Sequence, residues 1–259
     1  MANYGTLSSV TQRGKFEPFD LQVARGQIYG HSTVNIYGVQ GSVTTTYIPV
    51  WENASAYTFP TSAASMNLVS TVNTGADKTG TTVLIQGLDS TYTAISETLT
   101  LNGTTVVPTV KSYLRINSIS IASVTSNTMP TGVITLKDLT NTTTYAQIAA
   151  GLGRSQMAIY TVPAGYTFYL SRIDAYSSTN GYSADYISYR NYSTTSSGIT
   201  NATQQAPFTN TYHAQRVMPR AFTEKTDIQL QARTSANTYV VSIAAEGFLI
   251  KNSADAGNT

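Results

Sequence analysis

The chain has no cysteine in its 259 residues, which excludes disulfide bonds, thiolate metal ligands and cysteine nucleophiles. Charge is scarce as well, because Asp, Glu, Lys and Arg make up 11% of the residues, where roughly a quarter is usual in soluble domains. The 15 basic and 13 acidic side chains leave a net charge of +2, which is too small to indicate electrostatic binding of nucleic acid or a membrane. We therefore expect no specific nucleic-acid partner and no membrane partner.

Long apolar segments are also lacking. The longest, residues 239–250, is interrupted by Ser242 and Glu246 and is shorter than the about 20 residues that span a bilayer. The first 20 residues contain no apolar core of the kind that a signal peptide needs. These features predict a protein that is neither secreted nor inserted in a membrane.

Thr, Ser, Asn and Tyr supply most of the polar surface, while the strong helix formers Lys, Glu, Leu and Met are infrequent. No window of about 11 residues carries an apolar stripe at helical spacing, so we predict an all-β fold. Residues 1–28 are polar and interrupted by glycine, which indicates an extended N-terminal arm. The short strand-like segments that follow predict a first β-sandwich unit in residues 29–125 and a second, jelly-roll-like β-sandwich in residues 126–259, joined near residues 123–130.

The clearest strand pattern lies in residues 95–101, where apolar and polar side chains alternate. A turn at Asp89 and Ser90 precedes this strand. Asn102-Gly103 follows it directly, and this dipeptide tolerates the positive φ angles that a two-residue hairpin turn demands. We therefore predict that the chain reverses at Asn102-Gly103.

A β-bulge is predicted near Asn117 and Ser118. Ile116 and Ile119 have opposite parity along the same strand, so both reach one core only if an extra residue is inserted between them.

A further strand is predicted in residues 227–233. Its apolar residues Ile228 and Leu230 alternate with Gln229 and Gln231, which is typical of a strand with one buried and one exposed face.

Four segments resemble structural proteins of tailed bacteriophages, many of them marine. They are FDLQVARGQIYGHS (residues 19–32), GLDSTYTAISETLTLNGTTVV (residues 87–107), SYLRINSI (residues 112–119) and RSQMAIYTVPAGYTFYL (residues 154–170). The resemblance implies a virion component of the head surface or its vertices, made in the host cytoplasm, without catalytic residues. Read without the resemblance, the same residues predict only strands and turns.

The motifs of enzymes and cofactor sites are incomplete in this sequence. Gly30-His31-Ser32 and Gly153-Arg154-Ser155 each lack the closing glycine of a nucleophile elbow. The two histidines have no second ligand at metal-binding spacing, and no phosphate-binding loop is present. We therefore predict no enzyme, no cofactor and no metal site.

Two sets of residues are candidates for binding. On the arm, apolar anchors with basic neighbours are predicted to dock on another subunit or on the major capsid protein. These residues are Arg13, Lys15, Phe16, Phe19, Leu21 and Arg25. A tyrosine-rich stretch offers large rings with polar tips, which suit protein interfaces and also stack on sugars. Its candidate residues are Tyr176, Tyr182, Tyr186, Tyr189 and Tyr192.

These expectations lead to one function and one alternative. The first is a head decoration, cement or vertex spike protein that assembles as a symmetric homo-oligomer, with a trimer as the expected state. The alternative is a receptor-binding module of a phage tail or head fibre, in which the second unit holds a host glycan on the tyrosine platform.

Overall fold

The computed structural model describes residues 17–53, 55–125, 127–178, 185–193, 200–235 and 238–253. Strands dominate these residues, and the only helices among them are two short ones, so the predicted all-β fold is confirmed. The helices are α1 (Phe19–Ala24) and α2 (Gly75–Lys78). The strands are β1 (His31–Val43), β2 (Ile48–Pro49), β3 (Asn67–Ser70), β4 (Thr82–Leu88), β5 (Ala94–Thr100), β6 (Val107–Pro108), β7 (Arg115–Ser123), β8 (Ile134–Lys137), β9 (Thr144–Ile148), β10 (Ile159–Thr161), β11 (Tyr166–Ser177), β12 (Asp185–Ser193), β13 (Thr200–Phe208), β14 (Thr211–Phe222), β15 (Thr226–Arg233) and β16 (Tyr239–Lys251).

Two antiparallel sheets enclose one hydrophobic core. The first sheet has the order β1-β16-β11-β14, and the second has the order β10-β15-β12-β13 with β2 also paired to β15. The connections from β11 to β12, from β13 to β14, from β14 to β15 and from β15 to β16 each cross from one sheet to the other. Phe168 and Phe222 stack in the core with ring centroids 6.1 Å apart, beside Leu230 and Ile243. We call this sandwich the host unit.

β2 and β10 together form one interrupted strand. Both are antiparallel to β15 and lie end to end along the same edge of it. The Val50 N–H donates to Leu230 O at 3.0 Å, the Leu230 N–H donates to Ala158 O at 2.9 Å, and the Ala158 N–H donates to Val50 O at 2.8 Å. The chain therefore leaves the strand after Val50 and returns to it at Ala158.

The residues between these two points form a second unit with its own core, which we call the inserted unit. It contains the sheets β6-β3-β8-β9 and β5-β4-β7. Trp51, Leu68, Ile85 and Leu136 are buried in its core. The chain is thus divided differently from the predicted boundary at residue 125, because β8 pairs with β3 across that boundary while β1 and β2 belong to the host unit.

β15 is buried on both faces, whereas the alternation of its residues had predicted one exposed face. Ile228 and Leu230 face the host core as expected. Gln229 and Gln231 are also buried, at 2% and 6% exposure. The partner of Gln229 across the strands is Ile159, which packs in the core of the inserted unit, so the inserted unit covers the polar face of β15.

The inserted unit contains the predicted turn at Asp89 but not the predicted hairpin at Asn102-Gly103. β4 and β5 form a hairpin around the turn, where Asp89 Oδ1 accepts the backbone N–H of Thr91 at 2.8 Å and of Thr93 at 3.0 Å. The chain does turn at Asn102-Gly103, but β5 pairs with β4 and β6 pairs with β3. The turn therefore connects two sheets, and the hairpin prediction was wrong.

Gly103 is nevertheless constrained, with φ +61°. A Cβ atom on it would lie 2.3 Å from Asn73 Oδ1 and 3.0 Å from Asn73 Cα. We expect Gly103→Val to lower the free energy of unfolding by at least the about 1–3 kcal/mol of a strained backbone angle. Urea denaturation measures the loss. Gly151→Val is the control, because Gly151 has φ +74° but open space around its Cβ position; equal losses for the two variants would contradict a clash at Asn73.

The predicted bulge between Ile116 and Ile119 is confirmed. Gln86 pairs with Ser118 and Gly87 pairs with Ile116, so Asn117 is the extra residue, and both isoleucines reach the core. The bulge turns the Asn117 side chain toward the host unit, where its Nδ2 donates to Thr161 O at 3.0 Å and its Oδ1 accepts the Thr161 N–H at 2.9 Å. The bulge residue therefore links the two units.

Candidate functional site

The described part of the predicted arm is helical, not extended. Pro18 stands at the N-cap of α1 and Asp20 lies in its first turn, both of which favour a helix start. Phe19 packs edge-on against Phe248 at 5.3 Å between ring centroids. Val23, which is 2% exposed, is the buried anchor of this helix. The arm therefore docks on its own chain at α1, which corrects the prediction of an extended arm there.

The predicted docking residues are only partly described. Phe19 and Leu21 are 48% and 47% exposed, and Arg25 forms an ion pair with Glu17. Arg13, Lys15 and Phe16 lie outside the described residues, so docking of the arm on a partner stays a prediction.

The tyrosine platform is also only partly described. Tyr176, near the end of β11, is 52% exposed. Tyr182 and the side chains of Tyr186, Tyr189 and Tyr192 lie outside the described residues. The tyrosine platform therefore stays a prediction.

The junction of the two units is built around a buried ion pair between Arg115 on β7 and Asp227 on β15. Arg115 Nε and Nη2 each donate to a different Asp227 oxygen at 2.8 Å, and the two side chains are 6% and 2% exposed. Arg115 Nη1 also donates to Pro60 O and Leu114 O, and Thr161 Oγ1 donates to Asp227 Oδ1 at 2.6 Å. Both charges are therefore compensated by several hydrogen bonds, as buried charges require.

Aromatic rings complete the surroundings of Arg115. Its guanidinium carbon lies 5.0 Å from the ring centroid of Phe59 and 5.4 Å from that of Tyr92, which are cation–π distances. Burial disfavours the charged guanidinium, but the hydrogen bonds and charge of Asp227 outweigh burial and raise the pKa of Arg115. Arg115 therefore remains a cation that holds both units together.

Glu52 is a second unusual acid at the junction. Its Oε2 accepts the Ala149 N–H at 3.1 Å, and the backbone N–H of Gln156 also interacts with this carboxyl. Burial raises the pKa of Glu52 to about 7. This carboxyl is therefore expected to change between its protonated and ionised forms near neutral pH.

A cleft of about 540 Å³ lies between the units, which we call the inter-unit cleft. The β5-β4-β7 sheet contributes Gln86, Ser96 and Ser118 to its lining. The host unit contributes residues 33–36 of β1 together with Ile159 and Tyr160. Arg154 also lines the cleft, and its Nη2 donates to Asn35 O at 3.3 Å. The lining contains no Asp, Glu or Lys.

The edge strand β14 carries a long bulge. Leu170 pairs with Arg220 and Arg172 pairs with Gln215, so residues 216–219 of β14 lie opposite the single Ser171. The bulge presents Val217 and Met218 to solvent at 99% and 85% exposure, followed by Pro219. We call residues 217–219 the apolar peg, and Arg216 and Arg220 flank it.

A groove of about 400 Å³ lies beside the peg on the outer face of the first sheet. We call it the outer groove. Gln215 and Arg216 form its side next to the peg, and Phe248 contributes apolar surface. Its charged residues are two acids, Asp20 and Glu246, and two arginines, Arg172 and Arg216.

Sequence reasoning missed the residues of the junction and of the peg. Arg115 was one charge within an apolar strand, and nothing in the sequence indicated Asp227 as its partner 112 positions away. The signal for the peg was present: Val217 and Met218 precede Pro219, and a proline within a strand indicates an edge or a bulge.

Within the part of the chain that the structure describes, no helix is long and apolar enough to cross a membrane. No three His, Asp or Glu side chains in these ranges are placed to hold a metal ion together.

No protein-family model and no curated protein matches this chain. Solved structures that share weak similarity with it include two of infectious bursal disease virus. A chain of infectious bursal disease virus, Gx strain, is 13% identical over 86% of this chain and 73% of that chain, with a TM-score of 0.25. A chain of the Gt strain is 12% identical over 89% of this chain and 80% of that chain, with a TM-score of 0.17. Similarity at this level does not identify a function.

Proposed function

We propose that this protein is a non-enzymatic structural subunit of a virus particle and that it assembles as a symmetric homo-oligomer. The observation that supports assembly most is the apolar peg. Two large apolar side chains projecting from a bulged edge strand gain stability only when a partner covers them. A second copy of the chain is the partner that we propose.

Position supports the second copy. The outer groove lies beside the peg and contains the ring of Phe248, while its two acids, Asp20 and Glu246, are balanced by Arg172 and Arg216. A peg placed in the groove of a neighbouring copy would cover its apolar side chains against this ring. Each subunit carries both a peg and a groove. In a closed ring, every subunit can therefore insert its peg into the groove of one neighbour and bind the peg of the other neighbour.

The particle that we propose is a tailed phage, with the protein on the head surface or at a vertex as a decoration, cement or spike module. The resemblance of four segments to tailed-phage structural proteins supports this position. The crossing of successive strands between the two host sheets is the connectivity of a jelly roll, which is common in viral shells. The major capsid protein is the proposed partner of the arm.

The peg is tested by replacing both Val217 and Met218 with aspartate. We expect the oligomer to dissociate, with a trimer falling to the monomer mass in sedimentation or light scattering, because buried carboxylates without partners oppose the contact. The melting temperature of the isolated subunit should stay nearly unchanged, since both side chains are exposed in it. Val110→Asp is the control, because Val110 is 89% exposed on the inserted unit, away from the peg.

Three results would oppose the proposal. A wild-type protein that is monomeric at all concentrations, or a peg variant that keeps the wild-type mass, contradicts assembly through the peg. Absence of the protein from purified particles, by mass spectrometry and immunogold labelling, contradicts the role in a virion.

A further inference from the structure

We propose that the inter-unit cleft is a binding site for a neutral oligosaccharide. The cleft lies within one chain and is lined by no residue of the apolar peg or of the predicted tyrosine platform, although it shares residues 33–35 of β1 with the outer groove. Its volume of about 540 Å³ is within the range of roughly 300–1,000 Å³ of small-molecule sites. Clefts between structural units are also where such sites are most often found.

The two walls of the cleft differ in character. The inserted unit contributes amide and hydroxyl groups from Gln86, Ser96 and Ser118, which are cross-strand neighbours on the β5-β4-β7 sheet. The host wall contributes aliphatic surface from Val34 and Leu249, which are both partly exposed. A pyranose ring has the same division, with hydroxyl groups around its edge and C–H groups on its faces. The cleft can therefore bond a sugar on one side and pack against it on the other.

The charge of the lining points to a neutral ligand. No acidic side chain and no lysine line the cleft, and its one cation, Arg154, already donates a hydrogen bond to Asn35 O. A phosphate or carboxylate site would use several convergent cationic or backbone N–H donors. Amides and hydroxyls, in contrast, both donate and accept hydrogen bonds, which suits sugar hydroxyls.

Gln86 is the residue that we expect to contact the sugar directly. Its Oε1 accepts the hydroxyl of Ser118 at 3.0 Å, which orients the amide. No described residue accepts a hydrogen bond from its Nε2, and Gln86 is exposed at the cleft. The Gln86 amide is thus held in place with two N–H donors available to a ligand.

The cleft is preorganised because both units are fixed at its inner end. Asn117, itself a lining residue, makes two hydrogen bonds to the backbone of Thr161 across the junction. The Arg115–Asp227 pair joins β7 to β15 beside this contact, because Asp227 is the cross-strand partner of Thr161. A rigid cleft loses little conformational entropy when it binds a ligand.

The proposal is tested by screening the full-length protein on an array of neutral and acidic di- to tetrasaccharides and by titrating hits calorimetrically. We expect neutral sugars to bind. Ser96→Trp, which fills the cleft, should abolish binding, and Gln86→Ala should weaken it about tenfold, the effect of one lost hydrogen bond. Thr100→Trp is the matched control, because Thr100 is exposed on the same face of β5 outside the cleft lining.

The variants that test the cleft do not test assembly, because neither β5 nor Gln86 belongs to the peg or the outer groove. A failure of the sugar site can therefore be told apart from a failure of the assembly proposal. Absence of binding to any sugar, or wild-type affinity in Ser96→Trp, overturns the site. If only acidic sugars bind, and Arg154→Ala abolishes that binding, the assignment of a neutral ligand is overturned. If Thr100→Trp loses as much sugar affinity as Ser96→Trp, the sugar binds elsewhere on the sheet, and the proposed site is also overturned.

Discussion

Arg115→Met is expected to lower the free energy of unfolding by about 3–5 kcal/mol, the usual cost of removing one partner from a buried ion pair. Methionine fills part of the space of the arginine but leaves the Asp227 carboxylate 2% exposed and with only Thr161 among its side-chain hydrogen-bond partners. Pro60 O and Leu114 O also lose a donor. Urea denaturation followed by circular dichroism measures the loss.

The control is Arg172→Met, because Arg172 pairs with Asp174 at 2.7 Å but is 52% exposed. Arg172→Met should lower the free energy of unfolding by less than about 1 kcal/mol, as for other surface ion pairs. Adding Asp227→Leu to Arg115→Met should recover part of the stability, since the uncompensated charge is then removed. Similar small losses for Arg115→Met and Arg172→Met would show that the buried pair does not stabilise the junction.

Gly38→Ala is expected to lower the free energy of unfolding by about 3 kcal/mol, at the upper end of the usual cost of overpacking. Gly38 lies on β1 against the point where the host strand is interrupted. A Cβ atom there would be 2.2 Å from Val50 O and 2.4 Å from Ala158 N, the two atoms that close the interruption through their hydrogen bond. Both are backbone atoms, so neither can move aside as a flexible side chain could.

Gly41→Ala is the matched control on the same strand. A Cβ atom on Gly41 meets no atom within 4 Å, and we expect a change within about 0.5 kcal/mol. Thermal melting curves of both variants measure this difference in stability. If Gly38→Ala is as stable as Gly41→Ala, the host sheet does not hold the two ends of the interrupted strand as closely as described.

Both variants probe the same region, where the inserted unit joins the host unit. The proposed oligosaccharide cleft depends on this junction, because its two walls belong to different units. The peg does not, since β11 and β14 both lie in the host unit. Junction variants should therefore weaken sugar binding more than self-assembly.

The features that sequence predicted correctly are local. The all-β fold followed from short alternating segments and few helix formers. The bulge at Asn117 followed from a change of parity within one strand, and the turn at Asp89 followed from the residues that form it. Each depends on residues that are close along the chain.

The errors have one physical origin, which is that pairing partners are distant in sequence. The alternation in β5 predicted a strand but not its neighbour, so Asn102-Gly103 was read as a hairpin although it connects two sheets. Gln229 and Gln231 were predicted to face solvent because glutamine is usually exposed. In the structure the inserted unit covers them, and Gln231 Nε2 donates to Gln229 Oε1 at 2.7 Å.

The sequence by itself determined the class of secondary structure, the absence of cysteine chemistry and most strand positions, because these depend on composition and on the two-residue period of a strand. Only the tertiary structure decided that residues 51–157 are inserted within one strand, that Arg115 meets Asp227, and that Val217 and Met218 project from an edge. These facts depend on which strands pair, and the pairings join residues far apart in sequence, such as Arg115 and Asp227, which no local pattern encodes.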